Sequence, residues 1–161
     1  MSTSVQLKAS VVALEQAIND GILEGELKDA MDQCPVTHHF APPVEEYGCG
    51  TYARELLIPK GVVIVGKIHR HSHLAFLMQG EVIIVSESGK QRIKAPHTFL
   101  SPVGAKRAFY AVEDSIITTV HLTKHTEESA IEPEVIAETF TELGLEEPDL
   151  QMFYKELEKL Q

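Results

Sequence analysis

Residues 61–80 read GVVIVGKIHRHSHLAFLMQG, and this stretch decides how the rest of the chain is interpreted. Three histidines, His69, His71 and His73, fall at alternate positions within it. Side chains two residues apart share one face of a β-strand. Three imidazoles on one face, directed into the interior of a β protein, form a metal site or a protonatable pocket. The alternative is an exposed polar strand face or turn with solvated histidines and no function.

Short β-branched and aromatic runs continue on both sides of this stretch, with turn residues between them. They occupy residues 51–58, 62–68, 73–78, 81–86, 91–94, 107–112 and 115–122. Many short strands at this spacing predict an antiparallel sandwich or barrel. The preceding segment, residues 35–50, contains Pro42-Pro43, Gly48 and Gly50 and is predicted to be a loop.

Helical patterns flank the β region. An apolar stripe of Leu7, Val11, Leu14 and Ile18 predicts an N-terminal helix that ends at residues 19–21, and a shorter helical stretch over 22–31. Towards the other end, Pro133 fits the first turn of a helix, and a last helix follows Pro148. We therefore divide the chain into a helical N-terminal extension (1–34), a β domain (35–125) and an acidic helical tail (126–161).

The charge of the protein is concentrated in that tail. The chain has 161 residues, 24 acidic and 14 basic, for a net charge of −10, of which −9 falls after His125. This balance argues against a polymeric nucleic-acid partner, which requires clustered Lys and Arg. No apolar run reaches the length of a membrane span, the first ten residues lack a signal pattern, and two cysteines are too few for a disulfide framework. We expect a cytoplasmic protein without a membrane partner.

The glycine and proline framework resembles the cupin superfamily of small jelly-roll barrels. From Gly61 to Gly80 the spacing follows the first cupin motif, which places its ligand positions at Lys67, His69 and His73. The second motif falls around Pro102-Val103-Gly104 and places its histidine position at Arg107. The resemblance implies a mainly β fold, a single cupin-type jelly-roll barrel with helical N- and C-terminal extensions.

The ligand positions depart from the set of His, His, Glu and His that the resemblance implies. Arginine stays protonated and cannot ligate a metal, and no carboxylate remains among the four positions. Two cations with titratable imidazoles instead describe a pocket for an anion, with Arg107 as a bidentate fork and Lys67 as a point charge. The ligand-binding residues predicted in this way are Lys67, His69, His71, His73, Arg107 and, as an aromatic neighbour of the basic pair, Tyr110.

A metal-binding interpretation stays open beside this one. His121 lies on the last predicted strand, and together with His69 and His73, with His71 as a possible fourth ligand, it completes a three-histidine site. Such a site would hold one divalent ion of Fe, Zn, Mn or Ni. The sequence alone leaves open whether the cofactor is one such ion or none.

The chain is also similar to small cupin-like proteins encoded by tailed phages, which implies a phage origin and a host-cytoplasmic or virion-associated location. The leading hypothesis is a homo-oligomeric binding protein that takes up, and sequesters, a small anion of the nucleotide or sugar-phosphate type. The alternative is a metal-dependent cupin enzyme (a dioxygenase, isomerase or hydrolase) that uses the histidine cluster. No catalytic residue is singled out by the sequence.

Overall fold

The computed structural model describes residues 2–160, and the protein is mainly β with antiparallel sheets. This range contains eleven strands: β1 (Val36–Val44), β2 (Cys49–Ile58), β3 (Val63–Val65), β4 (Ile68–His69), β5 (His73–Gln79), β6 (Glu81–Ser86), β7 (Gly89–Lys94), β8 (His97–Ser101), β9 (Ala108–Ala111), β10 (Ser115–Thr123) and β11 (Ile136–Ala137). It also contains three α-helices: α1 (Thr3–Leu23), α2 (Glu128–Val135) and α3 (Leu150–Glu158). Two 3₁₀ turns cover Ala30–Gln33 and Thr141–Leu143.

Two sheets hold most of the strands. The larger has the order β1-β2-β10-β5-β8, and the smaller has the order β3-β9-β6-β7. The predicted strands at 51–58, 73–78, 81–86 and 115–122 are confirmed as β2, β5, β6 and β10. The run at 62–68 is divided into β3 and β4, and β8 was not predicted. Neighbouring strands pair antiparallel throughout, as the hairpin-type turns of the sequence indicate.

The inner faces of the two sheets share one apolar core. The larger sheet contributes four buried side chains and the smaller sheet three, and they pack in a single cluster: Leu56, Ile58, Leu77, Ile117, Val82, Ile84 and Ala111. Burial of apolar surface at about 25 cal/mol per Å² is the main force that holds the two sheets together. Leu56 and Ile117 of this core also line the cavity described below.

The predicted loop at residues 35–50 is wrong for most of its length. Residues 36–44 form β1, which pairs with β2 from Val36 opposite Leu56 to Ala41 opposite Thr51. The two prolines led to the prediction of a loop. They are compatible with a strand here because β1 lies at the edge of its sheet, where a residue without an N–H is tolerated. The register shifts between Ala41 and Val44, where Pro42-Pro43 interrupts the ladder.

The N-terminal helix is longer than predicted. It continues through residues 19–21 to Leu23, and the chain turns at Gly25, whose φ of 77° lies in the left-handed region. The second helix predicted over residues 22–31 is not found among residues 2–160. The next helical element after α1 in this range is the short 3₁₀ turn Ala30–Gln33. Lys106 fastens α1 to the β domain, because its ammonium donates to a Glu15 carboxylate oxygen at 2.8 Å and to the Gly66 carbonyl at 3.1 Å.

The acidic tail packs on its own chain. Strand β11 pairs with β4, and α2 buries Ile131 and Val135 against Tyr52. Pro133 occupies the sixth position of α2 rather than its first turn, which corrects the prediction. The last helix after Pro148 is confirmed as α3, and Gln6 of α1 donates to Glu156 of α3 at 2.8 Å. No helix within residues 2–160 has the length and apolar character that a membrane crossing needs.

Candidate metal centre

Three histidines from three strands converge between the sheets. His69 ends β4, His73 begins β5, and His121 lies on β10. The ring centroids of His69 and His73 are 4.2 Å apart, those of His73 and His121 are 4.4 Å apart, and those of His69 and His121 are 5.3 Å apart. One potential ligand atom from each ring lies within 4.8 Å of the other two. We call these three residues the histidine triad.

The local chain path explains which histidines enter the triad. The sequence predicts His69, His71 and His73 on one strand face, but the strand is interrupted between β4 and β5, and His71 is exposed in the turn. Arg70 fixes this turn to the tail, since its backbone N–H donates to the Val135 carbonyl at 2.8 Å and its Nε to the Ile136 carbonyl at 2.7 Å. His69 and His73 are therefore presented inwards from the two sides of the turn.

Neighbouring groups also orient the rings. Nδ1 of His73 lies 3.3 Å from the His71 carbonyl, a hydrogen bond in which the nitrogen donates and which leaves Nε2 with its lone pair. Nε2 of His121 lies 3.1 Å from the Thr119 hydroxyl. Contacts of this kind fix the tautomer and orientation of a metal-ligating imidazole.

The triad is neutral at physiological pH. Burial, followed by the proximity of His73, His121, Arg107 and Arg54, lowers the pKa of His69 to about 3. Burial and then the neighbouring His73 and Arg54 are the main causes that lower the pKa of His121 to about 4. Burial also lowers the pKa of His73, partly offset by its bond to the His71 carbonyl. Neutral imidazoles keep the lone pairs that a metal ion needs.

The donor set fits a divalent transition metal. Bonds of about 2.1 Å in a tetrahedral site place nitrogen ligands about 3.4 Å apart, so small side-chain movements would bring the triad to an ion. Imidazole nitrogen suits zinc, iron and nickel. Three protein ligands leave a further coordination position open, as in catalytic rather than structural sites.

The triad lines a cavity of about 390 Å³. Two guanidinium groups, of Arg54 and Arg107, line the same cavity, and Arg107 donates to the Ser101 hydroxyl at 2.5 Å. Part of the remaining wall is apolar and comes from both sheets: Leu56, Ala75, Ile117, Phe99, Ile64 and Phe109. Burial lowers the pKa of Arg107, an effect that the nearby Glu87 partly offsets. The cavity thus combines polar and cationic groups with an apolar floor.

The other sequence-predicted residues take different places. Lys67 lines the cavity but is exposed, and its ammonium pairs with the carboxylate of Glu132 on α2. His71 and Tyr110 are exposed and lie outside the lining of the cavity. The structure therefore brings together His69, His73, His121 and Arg107, and it leaves His71 and Tyr110 apart from them.

Sequence reasoning missed Arg54 and Tyr52. Both lie on β2 with Leu56 at alternate positions and line the cavity. The Tyr52 hydroxyl bonds to Nδ1 of His38 at 2.7 Å, and Nε2 of His38 lies 3.3 Å from a Glu128 carboxylate oxygen. The alternation of 52, 54 and 56 was the available signal, but an arginine in such a pattern usually marks the solvent face.

No protein-family model and no curated protein sequence matches this chain. The solved structures that resemble it include cupins. KdgF from Halomonas sp. is 18% identical over 58% of this chain and 83% of its own, with a TM-score of 0.44. An RmlC-like cupin from Shewanella frigidimarina is 16% identical over 58% and 80%, with a TM-score of 0.43. Ectoine synthase from P. lautus is 15% identical over 62% and 71%, with a TM-score of 0.46.

Proposed function

We propose that this chain is a cupin-type jelly-roll protein that holds one divalent transition metal on His69, His73 and His121 and binds a small anionic molecule beside it. The observation that carries the proposal is the convergence of three inward-facing imidazoles, within 4.8 Å of one another, in a cavity of about 390 Å³. The glycine and proline framework from Gly61 to Gly104 supports the jelly-roll assignment.

The state of the imidazoles favours a metal over a purely cationic pocket. At neutral pH the lowered pKa values of the triad leave it uncharged, so the rings offer lone pairs rather than positive charge. Lys67 is paired with Glu132 at the surface and contributes little net charge to the interior. When bound, the metal supplies a Lewis acid and an open coordination position for water or substrate.

Arg107 supports the anionic character of the ligand. Its guanidinium reaches into the cavity beside the triad, with the Ser101 hydroxyl as its hydrogen-bond partner. A guanidinium recognises a carboxylate or phosphate through two parallel N–H donors. In an enzyme of the dioxygenase, isomerase or hydrolase kind, Arg107 would orient the substrate by that group, and the triad would hold the metal.

A metal-free binding protein is the second candidate, favoured by the presence of two guanidinium groups in one cavity. In that case the protein captures a small anion of the nucleotide or sugar-phosphate type, which suits a phage-type protein that sequesters a host metabolite. This candidate predicts full anion affinity after treatment with a chelator and in His121→Ala.

Elemental analysis of protein purified without chelators tests the proposal. We expect close to one divalent metal ion per chain, and we expect His69→Ala, His73→Ala and His121→Ala each to lose most of it. His71→Ala is the matched control, because His71 lies between two ligands in sequence but is exposed, and this variant should retain the metal. Metal-free wild-type protein after metal supplementation, or a His121→Ala variant with full metal content, would overturn the proposal.

A further inference from the structure

Two guanidinium groups line the cavity without a carboxylate partner among the described residues, 2–160. Arg54 and Arg107 both line it, and among residues 2–160 no acidic side chain forms an ion pair with either. The only side-chain hydrogen bond of Arg107 in this range is to Ser101, and Arg54 has none. The other two arginines of the chain, Arg70 and Arg92, are each paired with a glutamate. Two unpaired cations in one interior space indicate that their anionic partners come from a ligand.

The strand register places the two groups on opposite flanks of the triad. Arg54 lies on β2, opposite Thr119 of β10, and His121 lies two residues further along β10. On the other flank, Ser101 of β8, which holds Arg107, lies opposite His73 of β5. Strands β2 and β8 are separated by β10 and β5, which corresponds to about 14 Å between their backbones.

The electrostatic influence of each arginine agrees with this arrangement. Arg54 lowers the pKa of His121 and Arg107 lowers the pKa of His73, while both lower the pKa of His69. Each guanidinium is therefore close to the histidine on its own flank. His69, which comes from neither flank, lies within the influence of both.

Because Arg54 and Arg107 line one cavity and neither forms an ion pair within residues 2–160, we propose, resting on the proposed function, that the ligand is a small linear dianion of the dicarboxylate class. One anionic end binds to Arg107 and Ser101, the other binds to Arg54, and the molecule spans the metal position between them. Glu132 and Glu128 also line the cavity, where Glu132 pairs with Lys67 and a Glu128 carboxylate oxygen lies 3.3 Å from Nε2 of His38.

The apolar part of the cavity wall determines which chemical groups suit the middle of the ligand. Ala75 of β5 and Ile117 of β10 line the cavity from the two strands between β2 and β8, and Phe99 of β8 lies under the Arg107 guanidinium, 5.4 Å from it. A short methylene chain suits that surface, because added hydroxyl or amino groups would lose hydration without gaining partners there. A cavity of about 390 Å³ is at the small end of the range for ligand sites and suits a compact molecule.

Calorimetric titration with a homologous series tests this inference. The probes are malonate, succinate, glutarate and adipate, with butyrate and pentanoate as monocarboxylates of matched length, on protein with its metal content measured. We expect the best dicarboxylate to bind at least about tenfold more tightly than its matched monocarboxylate, since a second charge-assisted contact adds about that factor. Arg54→Gln should remove this preference while metal content and monocarboxylate affinity stay unchanged.

Two further variants complete the test. Arg54→Lys keeps the positive charge but loses the two parallel N–H donors, so we expect a preference for dicarboxylates between those of the wild type and Arg54→Gln. This variant replaces Arg54→Gln if the latter does not fold. Arg92→Gln, on the outer strand β7, should retain the full preference. An equal response to mono- and dicarboxylates, no binding across the series, or an unchanged preference in both Arg54 variants would overturn the inference. If the wild-type protein contains no metal, the proposed function is overturned separately. Titration of that metal-free protein with the same carboxylates still tests the role of the two arginines.

Discussion

Acidification of the metal-free protein should lower its stability steeply between pH 6.5 and pH 4, because the triad stays neutral in the folded state. An unperturbed histidine in the unfolded chain has a pKa of about 6.5. In the folded protein the pKa is about 3 for His69 and about 4 for His121, with burial as the main cause. Below pH 6.5 the unfolded chain binds protons that the folded protein does not, so the free energy of unfolding decreases as the pH falls. Above about pH 7 these groups have no such effect.

The size of the loss follows from the two values. Each pH unit within this window changes the free energy of unfolding by about 1.4 kcal/mol per group. Between pH 7 and pH 5, His69 and His121 should each contribute a loss of about 2 kcal/mol, and about 4 kcal/mol together. Small domains have stabilities of about 5–15 kcal/mol, so this loss is readily measured. His73, whose pKa is lowered too, acts in the same direction.

Urea unfolding followed by circular dichroism at pH 7, 6 and 5, in the presence of a chelator, measures this effect. Glu81 and Glu142, whose pKa values are lowered by their arginine partners, lose their contribution only below about pH 4.5 and do not interfere. His121→Asn should show a clearly smaller pH dependence, whereas His97→Asn, at an exposed position of β8, should behave like the wild type. A free energy of unfolding that is constant from pH 7 to pH 5, or that falls equally in His121→Asn, would refute the neutral buried triad.

Three further perturbations have defined outcomes. Lys106→Met removes the partner of the half-buried Glu15 carboxylate and should cost about 1.5–3 kcal/mol in urea unfolding, and the double variant with Glu15→Leu should recover part of that loss. Gly80→Ala should lower the melting temperature, because Gly80 has a φ of 82° and an added Cβ would lie 2.4 Å from the Asp114 carbonyl oxygen; an unchanged melting temperature would contradict this geometry. Saturating zinc should stabilise the wild type by about 2.7 kcal/mol at a hundredfold excess over Kd in thermal unfolding, and an equal effect in His121→Ala would show that zinc binds elsewhere.

The fold was predictable where local patterns agree with the tertiary structure. Alternation and β-branched residues predicted β2, β5, β6 and β10, each of which is covered on one face by the core. Prediction failed for two strands for different reasons. Strand β1 was missed because its two prolines favour a loop, although it forms a hairpin with the next strand, β2. Strand β11 forms two residues of ladder on β4 across nearly seventy positions, and no local pattern records such a pairing.

The site was predictable to a similar extent. The spacing of His69 and His73, and the position of His121 at the end of a predicted strand, were sufficient to suggest the triad. The exclusion of His71 was not predictable, because it depends on the turn that Arg70 fixes against the tail. The exposed position of Lys67 was not predictable either, because its partner Glu132 lies 65 residues away in the sequence. The position of Arg54 in the cavity was not predictable either, because it depends on the pairing of β2 with β10.

The third imidazole of the triad and the Arg107 guanidinium come from different parts of the fold. Where the cupin resemblance places a histidine ligand, this chain carries Arg107, and His121 of β10 supplies the third imidazole instead. Because β10 lies directly beside β5, His121 reaches the triad while Arg107 stays at Ser101 on the far flank. In the proposed function, metal retention and anion recognition would therefore rest on different side chains. We therefore expect His121→Ala to lose metal and Arg54→Gln to lose the dicarboxylate preference while it keeps its metal, so the two effects are separable.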